Sequence, residues 1–174
     1  MTYKVSHALE ILEQTPKTLQ SLLSNLSEDW VYCNEGGETW SAFDVVGHLI
    51  HCENTDWIPR LNIILSDAEH KTFEPFDRFA QFENSKGKTL KYLLEEFQQL
   101  RTKNLKYLKS LQLSDDTLSL KGSHPELGEV SVKELLATWV THDLGHIAQI
   151  SRVMAKQYKS EVGPWVKYIS ILNK

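Results

Sequence analysis

The sequence is poor in the residues that mark disulfide-linked, fibrous or disordered chains. Its 174 residues include only 2 Cys, 5 Pro and 8 Gly. Two cysteines, Cys33 and Cys52, cannot build the disulfide framework of a small secreted protein. So little proline and glycine excludes a fibrous or low-complexity chain. With 41% hydrophobic and 24% charged residues, the composition fits one globular domain over residues 1–174.

The sequence also lacks an excess of basic charge and a long apolar run. It has 19 Lys and Arg against 23 Asp and Glu, which gives a formal net charge of −4. No basic field attracts a phosphate backbone, so nucleic acid is not expected as a partner. No uncharged apolar run approaches about 20 residues, so no membrane-spanning segment is expected. Glu10 and Glu13 interrupt the N-terminus before a secretory signal can form, which favours a cytoplasmic location.

Apolar residues recur at helical spacing along nearly the whole chain, and β-branched alternation is almost absent, so we predict a mostly helical fold. The first helix begins near Ala8, breaks or kinks at Thr15-Pro16, and resumes to Leu26. The second begins at Ser41, which forms a capping box with an acid three residues later. It bends at Pro59 and ends near residue 65.

Two further long helices complete the prediction. The third covers residues 90–111, and the fourth begins at Ser131, again with a capping box, and continues to about Tyr158. A short closing helix follows Gly163-Pro164. Residues 66–88 and 112–130 are predicted to be long connectors. Four long helices in one domain predict a four-helix bundle. The connectors on either side of the third helix permit a crossover, which leaves the helix order open.

Two histidines lie one turn apart on the fourth helix. His142 and His146 are about 40° apart around the helix axis and therefore share a face. Two imidazoles at this spacing can point two nitrogens at one ion. Seven histidines make a four-residue spacing a roughly one-in-four chance event. The alternative is a polar layer of the core in which the histidines bond to each other or to backbone.

A third histidine strengthens the metal interpretation. His48 lies in the middle of the second helix, on the face that also carries Val45 and Leu49. Three buried imidazoles would each lose water without a partner, whereas a shared Zn²⁺, Ni²⁺ or Co²⁺ satisfies them all. Three protein ligands leave open coordination positions, as in catalytic sites. Cys52 could instead complete a closed Cys-His₃ site, which would be structural.

Two further side chains are candidate catalytic residues. Gln149 shares the face of the histidine pair, so it could bind a ligand or substrate, or be a buried amide bonded to backbone. Asp56 lies near the His48 face and could act as an acid or base.

Two other acids are expected to point away from the histidines. Glu53 lies about 140° from His48 around the helix axis and is predicted to pair with Arg60. Asp143 lies roughly 100° from His142 around the helix axis. It could support a metal ligand from behind, but we expect it to face solvent.

Two segments resemble the motifs of a known family. Residues 38–53 and 55–60, which include Gly47-His48, resemble the first motif of the DinB-like (YfiT-like) superfamily of metal-dependent proteins. Residues 138–150, which include His142-Asp-Leu-Gly-His146, resemble its second motif. Residues 162–165 resemble a tail found in one branch. The resemblance implies a four-helix bundle in up-down-down-up order. It also implies a divalent metal, zinc or nickel among others, held by His48, His142 and His146.

The resemblance also implies a range of functions. Characterised activities in the superfamily include transfer or isomerisation with low-molecular-weight thiols such as bacillithiol and mycothiol, and many members have no assigned activity. We therefore expect a metal-dependent thiol S-transferase or hydrolase that acts on a small molecule. The alternative is a non-catalytic metal-binding stress-response bundle. Symmetric pairs are the commonest oligomers, so a homodimer is one possible assembly.

Overall fold

A computed structural model describes residues 2–173 as mostly helical. The helices α1 to α8 are Val5–Leu23, Glu28–Tyr32, Ala42–Thr55, Trp57–Leu65, Ala80–Asn84, Leu90–Ser110, Asp115–Leu118 and Val132–Lys156. The strands β1 and β2, Lys121–His124 and Gly128–Ser131, form an antiparallel hairpin. The predicted closing helix is a pair of short 3₁₀ helices, Gly163–Tyr168 and Ser170–Asn173.

The bundle is formed by α1, the α3–α4 pair, α6 and α8, and its core has two ends. One end contains Leu12 of α1, Trp57 of α4, Leu108 of α6 and Leu136 of α8. The other contains Leu19 of α1, Val45 of α3, Phe97 of α6 and Ile150 of α8. Helices α1 and α8 therefore run from the first end to the second, and α3 and α6 run the opposite way. This is the up-down-down-up order that the family resemblance implied.

Pro16 lies inside the continuous helix α1, so the predicted break at Thr15-Pro16 is wrong. Proline has no N–H for the carbonyl of Leu12, four residues earlier. Arg101 Nη1 of α6 donates to that carbonyl at 2.9 Å instead. A side chain from another helix thus satisfies the backbone group that proline leaves free, and α1 continues to Leu23.

The second long element is interrupted at Asp56, three residues before the predicted bend at Pro59. Helix α3 ends at Thr55, and α4 begins at Trp57. The ring of a proline collides with the carbonyl four residues earlier, which here belongs to Thr55. The break places Pro59 in the first turn of α4, where a missing N–H costs little. Both predicted capping boxes are present, at Ser41 and Ser131.

Both predicted connectors contain structure that the sequence pattern did not indicate. Residues 66–88 include α5, and residues 112–130 include α7 and most of the hairpin. Gly122 of β1 packs so tightly that an added Cβ would lie 2.8 Å from the Phe73 ring and 2.9 Å from Ile64. Within residues 2–173, no helix combines the length and apolar character needed to cross a membrane.

Candidate metal centre

Three histidine side chains converge between the two ends of the core. His48 comes from the middle of α3, and His142 and His146 lie one turn apart on α8. The Nε2 atom of His142 lies 3.2 Å from that of His48 and 3.1 Å from that of His146. One ligand atom from each of the three lies within 4.8 Å of the others. The structure therefore brings together the three residues that the sequence singled out.

The spacing of these nitrogens fits a shared cation. Zinc binds imidazole nitrogen at about 2.0–2.1 Å, so tetrahedral ligands lie roughly 3.3 Å apart. The two Nε2–Nε2 distances of 3.2 and 3.1 Å are close to that value. Imidazole nitrogen also suits nickel and cobalt. The arrangement is compatible with a divalent ion, whose identity the donor set does not select.

Burial keeps the imidazoles in the form that binds metal. Desolvation, reinforced by the neighbouring histidines, lowers the pKa of His48 and of His142 to about 3. Burial also lowers the pKa of His146, although its hydrogen bond to Gln149 opposes this effect. Metal ligation requires neutral imidazole. The cluster is therefore held in its ligating form without competition from protons near neutral pH.

Gln149 fixes the orientation of one imidazole. Its Oε1 atom lies 2.8 Å from Nδ1 of His146. An amide oxygen only accepts, so Nδ1 carries the proton and the lone pair of Nε2 faces the cluster. Gln149 therefore bonds a candidate ligand and not the backbone, and a direct role in catalysis stays a prediction.

Aromatic rings pack against the other two imidazoles. The ring centroid of Trp40 lies 4.9 Å from that of His48, and the centroid of Trp57 lies 5.1 Å from that of His142. Trp57 in turn stacks on Trp139, with centroids 5.7 Å apart. Such packing restricts the rotation of the imidazoles.

A cavity of about 480 Å³ opens onto the histidines. This volume lies within the range of about 300–1,000 Å³ of small-molecule sites. Its walls are more apolar than polar and include Trp40, Phe73 and Phe76, and the hairpin contributes residues 124–127 and Val130. Charged groups also line it, namely Asp56, Arg60, Arg78, Glu126 and Glu134.

Asp56 lines the cavity but is held by a neighbouring arginine. Its Oδ1 atom lies 2.8 Å from Arg60 Nη1. Burial raises the pKa of Asp56 to about 6, although Arg60 opposes the shift. The pairing corrects the predicted Glu53–Arg60 contact. In residues 2–173, Asp56 makes no hydrogen bond to the three histidines, so its role as an acid or base stays a prediction.

Cys52 lies beside the cluster without joining it. Its Sγ atom is 3.5 Å from Nε2 of His48, yet the compact group of ligand atoms within the described residues contains only the three histidines. Burial raises the pKa of the Cys52 thiol well above its usual value. The arrangement favours three ligands with open positions over the closed Cys-His₃ alternative.

A buried polar network behind the histidines was missed by the sequence analysis. Arg101 of α6 bonds Glu53 of α3 and both carboxylate oxygens of Asp143 of α8. Asp143 is 0% exposed, which corrects the expectation that it faces solvent. The signal was available in the sequence. Arg101 lies four residues after Phe97 and four before Leu105, so it occupies the apolar face of α6.

The chain resembles known proteins of one family. The sequence profile of the DinB superfamily matches residues 11–150. YfiT from Bacillus subtilis is described as a probable metal-dependent hydrolase with an unusual four-helix bundle topology. It superposes on this chain with a TM-score of 0.77 at 21% identity over 90% of each chain. A DinB-like protein from Bacillus cereus has a TM-score of 0.57 at 15% identity, over 90% of this chain and 95% of that chain. A comparison with curated sequences finds no match. Since the profile spans most of the chain and the fold agrees, this protein belongs to the DinB superfamily.

Proposed function

We propose that this protein is a metal-dependent enzyme that activates a small nucleophile at a divalent cation, zinc or nickel, held by His48, His142 and His146. The observation that carries the proposal is that three neutral Nε2 atoms meet at a cavity large enough for a small molecule. A cation bound there would lower the pKa of water or a thiol at its open position, so that the nucleophile forms near neutral pH.

The surrounding residues have separate tasks in this proposal. Gln149 holds the ring of His146, and Trp40 and Trp57 hold the other two imidazoles. The aromatic wall binds the apolar part of the substrate. With a pKa of about 6, the Asp56 carboxyl can take up or release a proton near neutral pH.

Hydrolysis is the first candidate reaction. Three histidines with an open position form a donor set that catalytic zinc sites use. The description of YfiT as a probable metal-dependent hydrolase also supports this reaction. A water molecule would give up a proton to the Asp56 carboxylate or to solvent, and its oxygen would form a bond to the electrophilic carbon of the substrate. The leaving group would depart with the electron pair of the broken bond and take up a proton.

Thiol S-transfer is the second candidate, and the make-up of the cluster favours it. Among residues 2–173, the compact group of ligand atoms contains no carboxylate that could take a proton from bound water directly. A thiol has an ordinary pKa of about 8.5 and needs far less activation than water. The thiol would lose its proton to Asp56 or to solvent, its sulfur would form a bond to an electrophilic carbon, and the leaving group would depart with the electron pair of the broken bond.

One set of assays distinguishes these reactions. Wild-type protein, His142→Ala and His51→Ala are each incubated with Zn²⁺ or Ni²⁺ and freed of excess metal. Elemental analysis then measures bound metal. Release of p-nitrophenol from p-nitrophenyl acetate reports hydrolysis, and conjugation of cysteine or bacillithiol to 1-chloro-2,4-dinitrobenzene reports thiol transfer. His51 is the matched control, because it lies on α3 but its ring faces Phe76 with centroids 4.9 Å apart.

The proposal predicts about one metal ion per chain in wild-type protein and His51→Ala, with loss of metal and activity in His142→Ala. Tightly bound metal without turnover in either assay would favour the non-catalytic metal-binding bundle. No metal uptake by the wild-type protein would refute the site.

A further inference from the structure

The four bundle helices meet at one buried guanidinium group. Arg101, in the middle of α6, is 1% exposed. Its Nη1 donates to the carbonyl of Leu12 in α1 at 2.9 Å. Its Nε donates to Glu53 of α3 at 2.9 Å. Its Nη1 and Nη2 donate to the two carboxylate oxygens of Asp143 in α8 at 2.6 and 3.0 Å. A single side chain of α6 therefore contacts each of the other three bundle helices.

Both acids of this network are close in sequence to the candidate metal ligands. Asp143 directly follows His142 on α8, and Glu53 lies five residues after His48 on α3. The bidentate contact to Asp143 constrains the rotation of α8, because the planar fork of arginine matches a carboxylate in a restricted geometry. The position of α3 is constrained as well, since Asn104 donates to both the Oε2 and the backbone carbonyl of Glu53 at 2.9 Å.

The network fixes the same pair of helices that the histidines must bridge. Nε2 of His48 and Nε2 of His142 are 3.2 Å apart across the interface of α3 and α8. A shift of α8 by about 1 Å along its axis, less than the rise of one residue, would disturb that separation. Buried ion pairs contribute little net stability compared with apolar residues of the same volume. Since the network adds little net stability, its effect is to fix how the helices are arranged.

The charges of the network also suit a cation. All four carboxylate oxygens of Glu53 and Asp143 accept hydrogen bonds from Arg101 or Asn104. Burial raises the pKa of Glu53, and Arg101 and Asn104 oppose that shift. With both acids ionised, the single guanidinium leaves an excess negative charge behind three uncharged imidazoles. A divalent ion at the histidines would be attracted by that charge.

We propose that Arg101, with Glu53 and Asp143, is the positioning framework of the metal centre. It holds α3 and α8 at the separation and rotation at which the three histidines converge. Arg101 makes no hydrogen bond to those histidines and is a positioning residue. The inference rests on the proposed metal site. It adds that Arg101, on α6, which carries none of the three histidines, contributes to metal affinity.

The test compares Co²⁺ binding by wild-type protein, Arg101→Met and Asp143→Asn. Methionine keeps an unbranched apolar side chain at this position but removes the guanidinium group, whose central carbon lies 4.9 and 5.1 Å from the ring centroids of Phe97 and Trp139. The expected result is a fall in Co²⁺ affinity of about tenfold or more. We also expect a change in the visible absorption of bound Co²⁺, with far-ultraviolet circular dichroism that still shows a helical bundle.

Arg152→Met is the matched control. Arg152 is also on α8, and it donates to Glu35 at 2.7 and 3.1 Å, but it lies ten residues beyond His142. Its loss should lower the melting temperature without changing Co²⁺ affinity.

Wild-type Co²⁺ affinity and absorption in the folded variants would overturn the proposal. An equal loss of affinity in Arg152→Met would also overturn it, because the effect would then follow general stability. If Arg101→Met does not fold, Asp143→Asn decides the question, since asparagine preserves the volume and one acceptor. Wild-type protein that binds no Co²⁺ would contradict the proposed function together with this inference.

Discussion

At the scale of single residues, His146 differs from the other two histidines because its second ring nitrogen has a partner. Gln149 accepts a hydrogen bond from Nδ1 of His146, whereas Nδ1 of His48 and of His142 is buried without a partner among the described residues. A hydrogen bond of this kind selects the tautomer and raises the basicity of the ligating nitrogen. We therefore attribute to Gln149 a supporting role in metal affinity.

Replacing Gln149 tests this role. Gln149→Ala should weaken Zn²⁺ binding by about 10- to 100-fold, the usual effect of losing a group that orients a ligand. Gln149→Glu should retain affinity, because a carboxylate is a stronger acceptor for the same N–H. Affinity is measured by competition with a chromophoric chelator, and melting temperatures of the metal-free proteins provide the control. Equal affinities in Gln149→Ala and wild-type protein would contradict the assignment.

At the scale of secondary-structure elements, the β1–β2 hairpin shapes one wall of the cavity. Its position depends on Gly122, which packs against the side chains of Phe73 and Ile64. A Cβ added at Gly122 would also lie 3.1 Å from the carbonyl oxygen of Lys71. Ser123 also forms backbone hydrogen bonds with Lys71 and Phe73. The hairpin is therefore attached to the segment after α4 through backbone and close packing.

Substitutions at two glycines separate close packing from backbone flexibility. Gly122→Ala should destabilise the protein by about 1–3 kcal/mol, because the added methyl group overpacks the contact with Phe73. Gly145→Ala should stabilise it by roughly 0.5–1 kcal/mol, since alanine favours helix and no atom lies within 4 Å of the added Cβ. Urea denaturation of the metal-free variants measures both effects. Two changes of the same sign would contradict this account of the hairpin.

At the scale of the whole molecule, a metal ion would connect two antiparallel helices of the bundle. His48 belongs to α3, and the other two ligands belong to α8. The unfolded chain does not hold these residues together, so metal should bind the folded state selectively. Metal binding should then be measurable as stability.

Zn²⁺ or Ni²⁺ should therefore raise the melting temperature of the protein. At a free metal concentration about 100 times the Kd, the folded state gains about 2.7 kcal/mol. For a chain of this size the gain corresponds to a rise of about 5–10 °C. A chelator should reverse the rise, and His142→Ala should show none. A rise of equal size in His142→Ala would mean that the metal binds elsewhere.

Local patterns in the sequence were enough to predict the main helices and part of the site. The capping boxes at Ser41 and Ser131 depend on residues three apart, and the pairing of His142 with His146 depends on one helical turn. The inward face of α3 could also be predicted from the spacing of its apolar residues, and this identified His48 as the third histidine of the cluster.

Contacts between distant elements were not predictable in the same way. The partner of Glu53 depends on the rotation of α6 relative to α3, which no local pattern encodes, so Arg60 was predicted where Arg101 is found. Strand β1 is the polar segment Lys121–His124, and it lacks the alternation by which strands are recognised. It forms because Gly122 fits closely against Phe73, a contact between residues 49 positions apart.

The separation of His48 from His142 along the chain, 94 residues, has a consequence for biosynthesis. A ribosome adds about 5–20 residues per second, so α3 emerges roughly 5–20 s before α8 has been made. During that interval the nascent polypeptide offers an incoming ion one of the three imidazoles. The complete donor set exists only after α8 has been made, so a metal held by all three histidines would be loaded after that point.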